Sequence, residues 1–290
     1  MDSNRTDARR TYKLFIGGAF PRSDSGRSYA VVDLKGRVLA YASLASRKDS
    51  RDAVRSARSA QPAWSSMTSY ERGQALSGIG EALDGKRSQF EQDVSAAEGL
   101  SGRRSAAVVD ASIDRWVWYA GWADKIAPVL GSVNPVSEPY LSVSVPEPTG
   151  VVAVMAPQRS SLLGLVSVVA PVIVSGNACV VVASETRPLP ALALAEVLAA
   201  SDLPGGVVNI LTGNPGEIGP CLAASTDVNA LDLTGVEDDA LATEMEVAAA
   251  VNVKRVISPS RRRSEWEDDP GLGRIRAFVE TTTLWQPLGV

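Results

Sequence analysis

Histidine is missing from all 290 residues, so the chain has no imidazole for a Ser-His-Asp or Cys-His couple, for a metal site, or for a proton shuttle near neutral pH. Any chemistry must rest on Cys, Lys, Tyr or carboxylates. Cysteine is nearly missing as well. Cys179 and Cys221 are too few for a disulfide framework and too far apart for a zinc ribbon, which excludes that kind of metal site and points to a reducing cytoplasm. The net charge of −4 gives no general pull toward nucleic acid. The N-terminal MDSNRTDARR has no apolar core behind it, so no secretory signal is expected and the location is read as cytoplasmic. Long apolar runs are scarce too. Residues 161–183 form one nearly uncharged stretch, but Pro171 and the turn Ser175-Gly176-Asn177 interrupt it, giving a buried helix, a turn and a buried strand rather than a membrane span.

What is present is an ordinary globular composition, 45% hydrophobic and 21% charged, long enough for a sizeable core. A loose tail is expected over 1–11. Short strands follow at Tyr12–Ile16, with a hairpin of Tyr29–Val32 and Val38–Ala42 about Lys35-Gly36. Ala53, Val54, Ala57 and Ala60 make an apolar stripe on a helix expected to end before Pro62. Further helices are predicted over Ser69–Leu83, Ser88–Leu100 and Ser105–Ile126, the last carrying a core cluster of Trp116, Trp118, Tyr119 and Trp122. Pro128–Pro139 reads as loop. Tyr140–Val145 alternates like a half-buried strand, which Pro146 and Pro148 should stop. After Gly150, short continuous apolar strands alternate with helices, the pattern of a parallel sheet covered on both faces. The fold class is therefore α/β, with a Rossmann-like parallel sheet. Residues 259–274 are mixed in charge and read as a solvated linker. Glu265, Glu267, Asp268 and Asp269 cancel Arg261–Arg263, so no nucleic-acid site is expected. Arg276–Trp285 is β-branched and aromatic, a strand that must pair with Tyr140–Val145 or with another chain.

Five stretches in order, FIGGAF (15–20), DSRDAVRSARSAQPAW (49–64), YAGWADKIA (119–127), VPEPTGVVAVMAP (145–157) and LPGGVVNILTGNPGEIG (203–219), resemble the aldehyde dehydrogenases. The resemblance implies an N-terminal strand and helix segment (12–139), an oligomerisation arm strand (140–149), a Rossmann-like NAD(P)-binding domain (150–258) and a C-terminal oligomerisation strand (275–290) that pairs with the arm. Residues 259–274 then stand where the family has its catalytic domain, with the nucleophilic cysteine and general base.

The departures bear on activity. Gln158-Arg159-Ser160-Ser161 replaces the family's Trp-Asn-Phe-Pro, whose Asn helps hold the oxyanion. At the family's Lys-Pro-Ser-Glu, which binds the adenosine ribose, Glu185 remains and the Lys is lost. Thr234-Gly235-Val236-Glu237-Asp238-Asp239 replaces Thr-Gly-Ser and sets carboxylates where a diphosphate would meet a helix start. Neither Cys179, in a buried strand, nor Cys221, in a helix, stands at the nucleophile's place, so no catalytic residue is assigned. Gly213, Gly216 and Gly219 read either as a cofactor cradle or as turn glycines. The vestigial cofactor residues are Glu185, Gly213, Gly216, Gly219 and Gly235, with NAD or NADP the only cofactor in view and no metal. The leading expectation is an inactive homologue serving as a homo- or hetero-oligomeric partner, with a full-length aldehyde dehydrogenase as candidate partner. An oxidoreductase active only in a complex and a nucleotide-sensing module are the alternatives.

Overall fold

The computed structural model describes residues 10–137, 139–259 and 266–288. Most of the expected tail, residues 1–9, lies outside them, as do residues 260–265 of the expected linker with Arg261–Arg263 and Glu265. The described chain begins with a three-stranded sheet, β1 (Thr11–Tyr12), β2 (Ser28–Val32) and β3 (Val38–Ser43), in the order β1-β3-β2. Helix α1 (Arg47–Ser66) starts on a reciprocal capping box, in which Ser46 caps the Asp49 N–H and the Asp49 carboxylate accepts from the Ser46 N–H. It does not end before Pro62 but runs one turn beyond it. Trp64 is fully buried and its Nε1–H donates to the Ile173 carbonyl at 2.8 Å, so packing holds the last turn against the local cost of proline.

Helices α2 (Ser69–Gly85), α3 (Arg87–Glu98) and α4 (Gly102–Ala120) follow. The helix expected to reach Ile126 stops at Ala120, where Gly121 ends it. Trp116 and Tyr119 are fully buried in the core. The stretch Pro128–Pro139 is not all loop: it holds most of α5 (Ile126–Leu130) and all of β4 (Ser132–Asn134). Pro128 sits in the first turn of α5, where its missing N–H is not needed. Asn134 Nδ2 donates to the hydroxyls of Ser142 and Ser144, tying β4 to β5 (Tyr140–Pro148).

The central sheet consists of β6 (Val151–Met155), β7 (Ala178–Val182), β8 (Val208–Leu211), β9 (Ala230–Asp232) and β10 (Arg255–Ile257), all parallel, in the order β10-β9-β6-β7-β8. Its crossovers are α6 (Leu163–Val174), α7 (Leu189–Ala200), α8 (Pro215–Ala224) and α9 (Asp239–Ala250). This is the doubly wound order, with the direction of winding reversing between β6 and β9. Helices α2, α3, α4, α6 and α7 share one core with one face of the sheet, and α1, α8 and α9 share a second with the other. Every residue of α6 is buried, and the helix continues through Pro171 rather than breaking there. Neighbours on all sides hold it. Among the described residues no helix is long and apolar enough to cross a membrane.

Residues 266–274 are solvated only in part: Glu267, Asp268 and Asp269 are exposed, while other residues pack inward. Arg115 of α4 donates to the Trp266 and Asp268 carbonyls at 2.6 and 2.9 Å, and Trp266 and Leu272 pack against the core of α6. A short helix, α10 (Gly273–Ala277), buries Ile275. The last strand, β11 (Val279–Pro287), starts later than expected and pairs antiparallel along the whole of β5, from Val279↔Pro148 to Pro287↔Tyr140. Pro146 and Pro148 therefore do not stop β5. The outer sheet has the order β11-β5-β4.

Candidate functional site

In a doubly wound sheet, ligands bind at the carboxyl ends of the strands where the winding reverses. Here that place lies between the segments leaving β6 and β9, whose backbones touch. The Gly235 N–H donates to the Met155 carbonyl at 3.0 Å, and a Cβ on Gly235 would stand 2.0 Å from the Ala156 carbonyl oxygen. Glycine is required for the two strand ends to touch. Arg159, leaving β6, faces Glu237, leaving β9, with Nε and Oε1 3.4 Å apart across the mouth.

The helix starts around this edge are satisfied from within the chain. Ser160 Oγ accepts from the Gly164 N–H at 2.8 Å in the first turn of α6. Just before it, the Glu98 carboxylate accepts from the Ser161 N–H and hydroxyl at 2.8 and 2.6 Å. Asp238 caps α9 by accepting from the Ala240 N–H at 2.8 Å, and Asn214 caps α8 by accepting from the Gly216 N–H at 2.7 Å. A diphosphate needs free N–H groups and positive charge at a helix start. Internal acceptors already hold these N–H groups, and Glu98, Glu237, Asp238 and Asp239 would repel it. The residues present do not fit a dinucleotide diphosphate in this crevice.

Beneath the crevice lies a group the sequence reading missed. Asp232, fully buried at the end of β9, accepts from Arg274 of α10 at 2.6 Å and from the Thr234 N–H at 3.0 Å. Arg274 also donates to Thr234 Oγ1 at 3.1 Å and stacks on Trp266, 5.3 Å from the ring centre. Nearby, burial pushes the Tyr119 phenol up to about 12. No periodicity signals this group, because its acid and base are 42 residues apart.

Glu185 lies half-buried after β7. Its N–H donates to Gln158 Oε1 at 3.0 Å, and Ser184 Oγ donates to the Gln158 carbonyl at 3.0 Å, so Gln158 latches the ends of β6 and β7 together. Burial, with the Glu185 charge second, pushes the Tyr29 phenol above its ordinary range. Glu185 and Gly235 thus both attach to the segment leaving β6. Gly213, Gly216 and Gly219 are used elsewhere. Gly213, at φ +136°, packs on Leu44 and Ala45; Gly216 donates to the α8 cap; Gly219 lets α8 approach Met245, whose sulfur would be 2.8 Å from an added Cβ. Cys179 is fully buried in β7 and burial raises its thiol pKa, while Cys221 Sγ lies 3.9 Å from the Arg47 carbonyl on α1.

The sequence model described as Aldehyde dehydrogenase family matches residues 21–258. The chain is 28% identical over 268 residues to the cytosolic 10-formyltetrahydrofolate dehydrogenase of Pongo abelii, covering 88% of this chain and 29% of that one. It is 30% identical over 249 residues to retinal dehydrogenase 2 of Gallus gallus, covering 84% and 47%. Among solved structures, the NAD+ complex of an aldehyde dehydrogenase from Bacillus cereus superposes with a TM-score of 0.80 at 26% identity, over 85% of this chain and 50% of that one. A putative aldehyde dehydrogenase from Burkholderia cenocepacia gives 0.79 at 30% identity, over 84% and 50%. The chain spans about half the length of these solved relatives and less of the formyltetrahydrofolate enzyme. By sequence and by fold, the chain belongs to the aldehyde dehydrogenase family.

Proposed function

We propose that this chain is a catalytically inactive member of its family that serves as an oligomerisation or regulatory partner, in a homo- or hetero-oligomer, with a full-length aldehyde dehydrogenase as the candidate partner of the latter. The observation that carries the reading is the outer sheet. Large apolar side chains stand in solvent on all three of its strands: Val133 on β4, Tyr140 and Leu141 on β5, and Leu284 and Trp285, 57% and 61% exposed, on β11. By the register, Val133, Leu141 and Leu284 share one face and Tyr140 and Trp285 the other, and exposed apolar side chains grouped on so small a sheet fit a surface that another chain covers. The inactive half of the reading rests on the route from β10 to β11. Only residues 258–278 connect the two strands, and the described part of that segment packs on the chain's own core, leaving no separate catalytic domain between them.

The crevice supports the same reading, since N–H groups at its helix starts are capped internally by acidic side chains. Calorimetric titration with NAD and with NADP, run beside an aldehyde oxidation assay, tests this half. No heat at millimolar cofactor and no turnover are expected; tight binding with turnover by the isolated chain would refute it. One observation favours a nucleotide-sensing role instead, because the Glu185 carboxylate accepts no hydrogen bond among the described residues. On that second reading, NAD binds without turnover and Glu185→Gln weakens it.

A further inference from the structure

The outer edge of β11 carries more than exposed side chains. In an antiparallel ladder, facing residues alternate between exchanging hydrogen bonds and turning their backbone groups away from each other. Two bonds at the ends of the β5–β11 pair fix the phase. The Thr149 N–H donates to the Phe278 carbonyl at 3.2 Å, and the Leu288 N–H donates to the Pro139 carbonyl at 2.8 Å. The register is unbroken between them. Glu280, Thr282, Leu284 and Gln286 therefore bond to β5. Val279, Thr281, Thr283 and Trp285 turn their N–H and C=O groups outward. The prolines agree with this phase: Pro146, Pro148 and Pro287 all fall at positions that need no N–H in the ladder.

Edge strands of natural proteins are normally blunted by lysine, proline, a bulge or a covering element. Between Val279 and Gln286, β11 has no lysine, arginine or proline and no register shift. Among the described residues nothing pairs with its outer side. Its composition, VETTTLWQ, has high β-propensity. The edge is also self-complementary. In an antiparallel pairing of two copies about a two-fold axis at Thr282, Thr281 meets Thr283 of the second copy and Val279 meets its Trp285. Every outward N–H and C=O from 279 to 285 then finds a partner. Glu280 faces Leu284 of the second copy, so no like charges oppose one another. Pro287 bounds the pairing.

We propose that two copies of this chain associate by pairing β11 edge to edge about Thr282, joining their outer sheets into one six-stranded sheet. This rests on the assembly reading above and deepens it by naming the strand, register and partner of the homo-oligomer.

Sedimentation velocity on the full chain tests the proposal, and two kinds of variant keep it falsifiable. Thr281→Pro removes an outward N–H and no β5–β11 bond, so the variant is expected to keep the wild-type circular dichroism while its dimer dissociates at least tenfold more readily. Thr282→Lys and Thr282→Glu each place like charges across the axis and are expected to be monomeric when alone and dimeric when mixed. A folded Thr281→Pro protein that dimerises like wild type overturns the proposal, as does a failure of the mixed Thr282 variants to pair. A wild-type chain that stays monomeric at about 100 μM also overturns it, and would assign the edge to a strand of another protein. That last outcome leaves association with a full-length aldehyde dehydrogenase to its own co-expression test.

Discussion

Arg274 and Asp232 form a largely buried ion pair: the guanidinium of α10 reaches the fully buried carboxylate at the end of β9 at 2.6 Å. The pair fastens residues 266–278 across the α6 side of the sheet. Removing one partner leaves a buried charge unsatisfied. Arg274→Met is expected to cost about 3 kcal/mol, read as a lower urea midpoint at unchanged slope. Adding Asp232→Asn should recover part of the loss, because the stranded charge is gone; a double variant no better than the single would contradict the pairing.

Asp93 on α3 gives a pH dependence of opposite sign to the usual carboxylate. Burial, and then the nearby Glu196 charge, push it up to about 6. Its folded pKa lies above the unfolded value, so the native state binds the extra proton and stability falls as pH rises from about 4 through 6. Asp93→Asn should therefore stabilise the protein at pH 8 by about 3 kcal/mol and change little at pH 4. Thermal melts of both proteins at the two pH values check this. Equal melting shifts at both would contradict it.

Gly235 is the point where β6 and β9 touch. A methyl group there meets the Ala156 backbone, which has no rotamer with which to yield. Gly235→Ala should destabilise by about 3 kcal/mol, the upper range for overpacking. By contrast, Gly78→Ala, with open space around it on α2, should be neutral or slightly stabilising. Paired denaturation curves decide between them.

The two thiols should differ in reactivity. Cys179 is sealed in β7 with its thiol pKa raised by burial, and only the thiolate reacts. Ellman's reagent is expected to titrate Cys221 in the native protein and Cys179 only after unfolding. Rapid native labelling of Cys179 would contradict its placement.

The alternating strands and helices after Gly150 were legible because their periodicity is local; that the last strand needs a neighbour was legible too, but the choice of β5 over another chain came from the resemblance alone. The errors came where tertiary contacts override local rules. Trp64 and the neighbours of α6 hold helices through Pro62 and Pro171, and the ladder phase lets β5 run through Pro146. Residues 266–274 looked solvated from their charges, yet Trp266, Leu272 and Arg274 turn inward. At the candidate site, Glu185 and Gly235 were legible from the resemblance. Glu98 was not, since its partner Ser161 is 63 residues away and no motif links them.

Whether the chain works by association is decided by co-expression with a full-length aldehyde dehydrogenase, followed by size-exclusion chromatography with light scattering. A single co-eluting complex is expected, and it is lost when Leu284 and Trp285 are both changed to Lys. Separate elution of the two chains, together with NAD-dependent aldehyde oxidation by this one alone, would contradict a role in association.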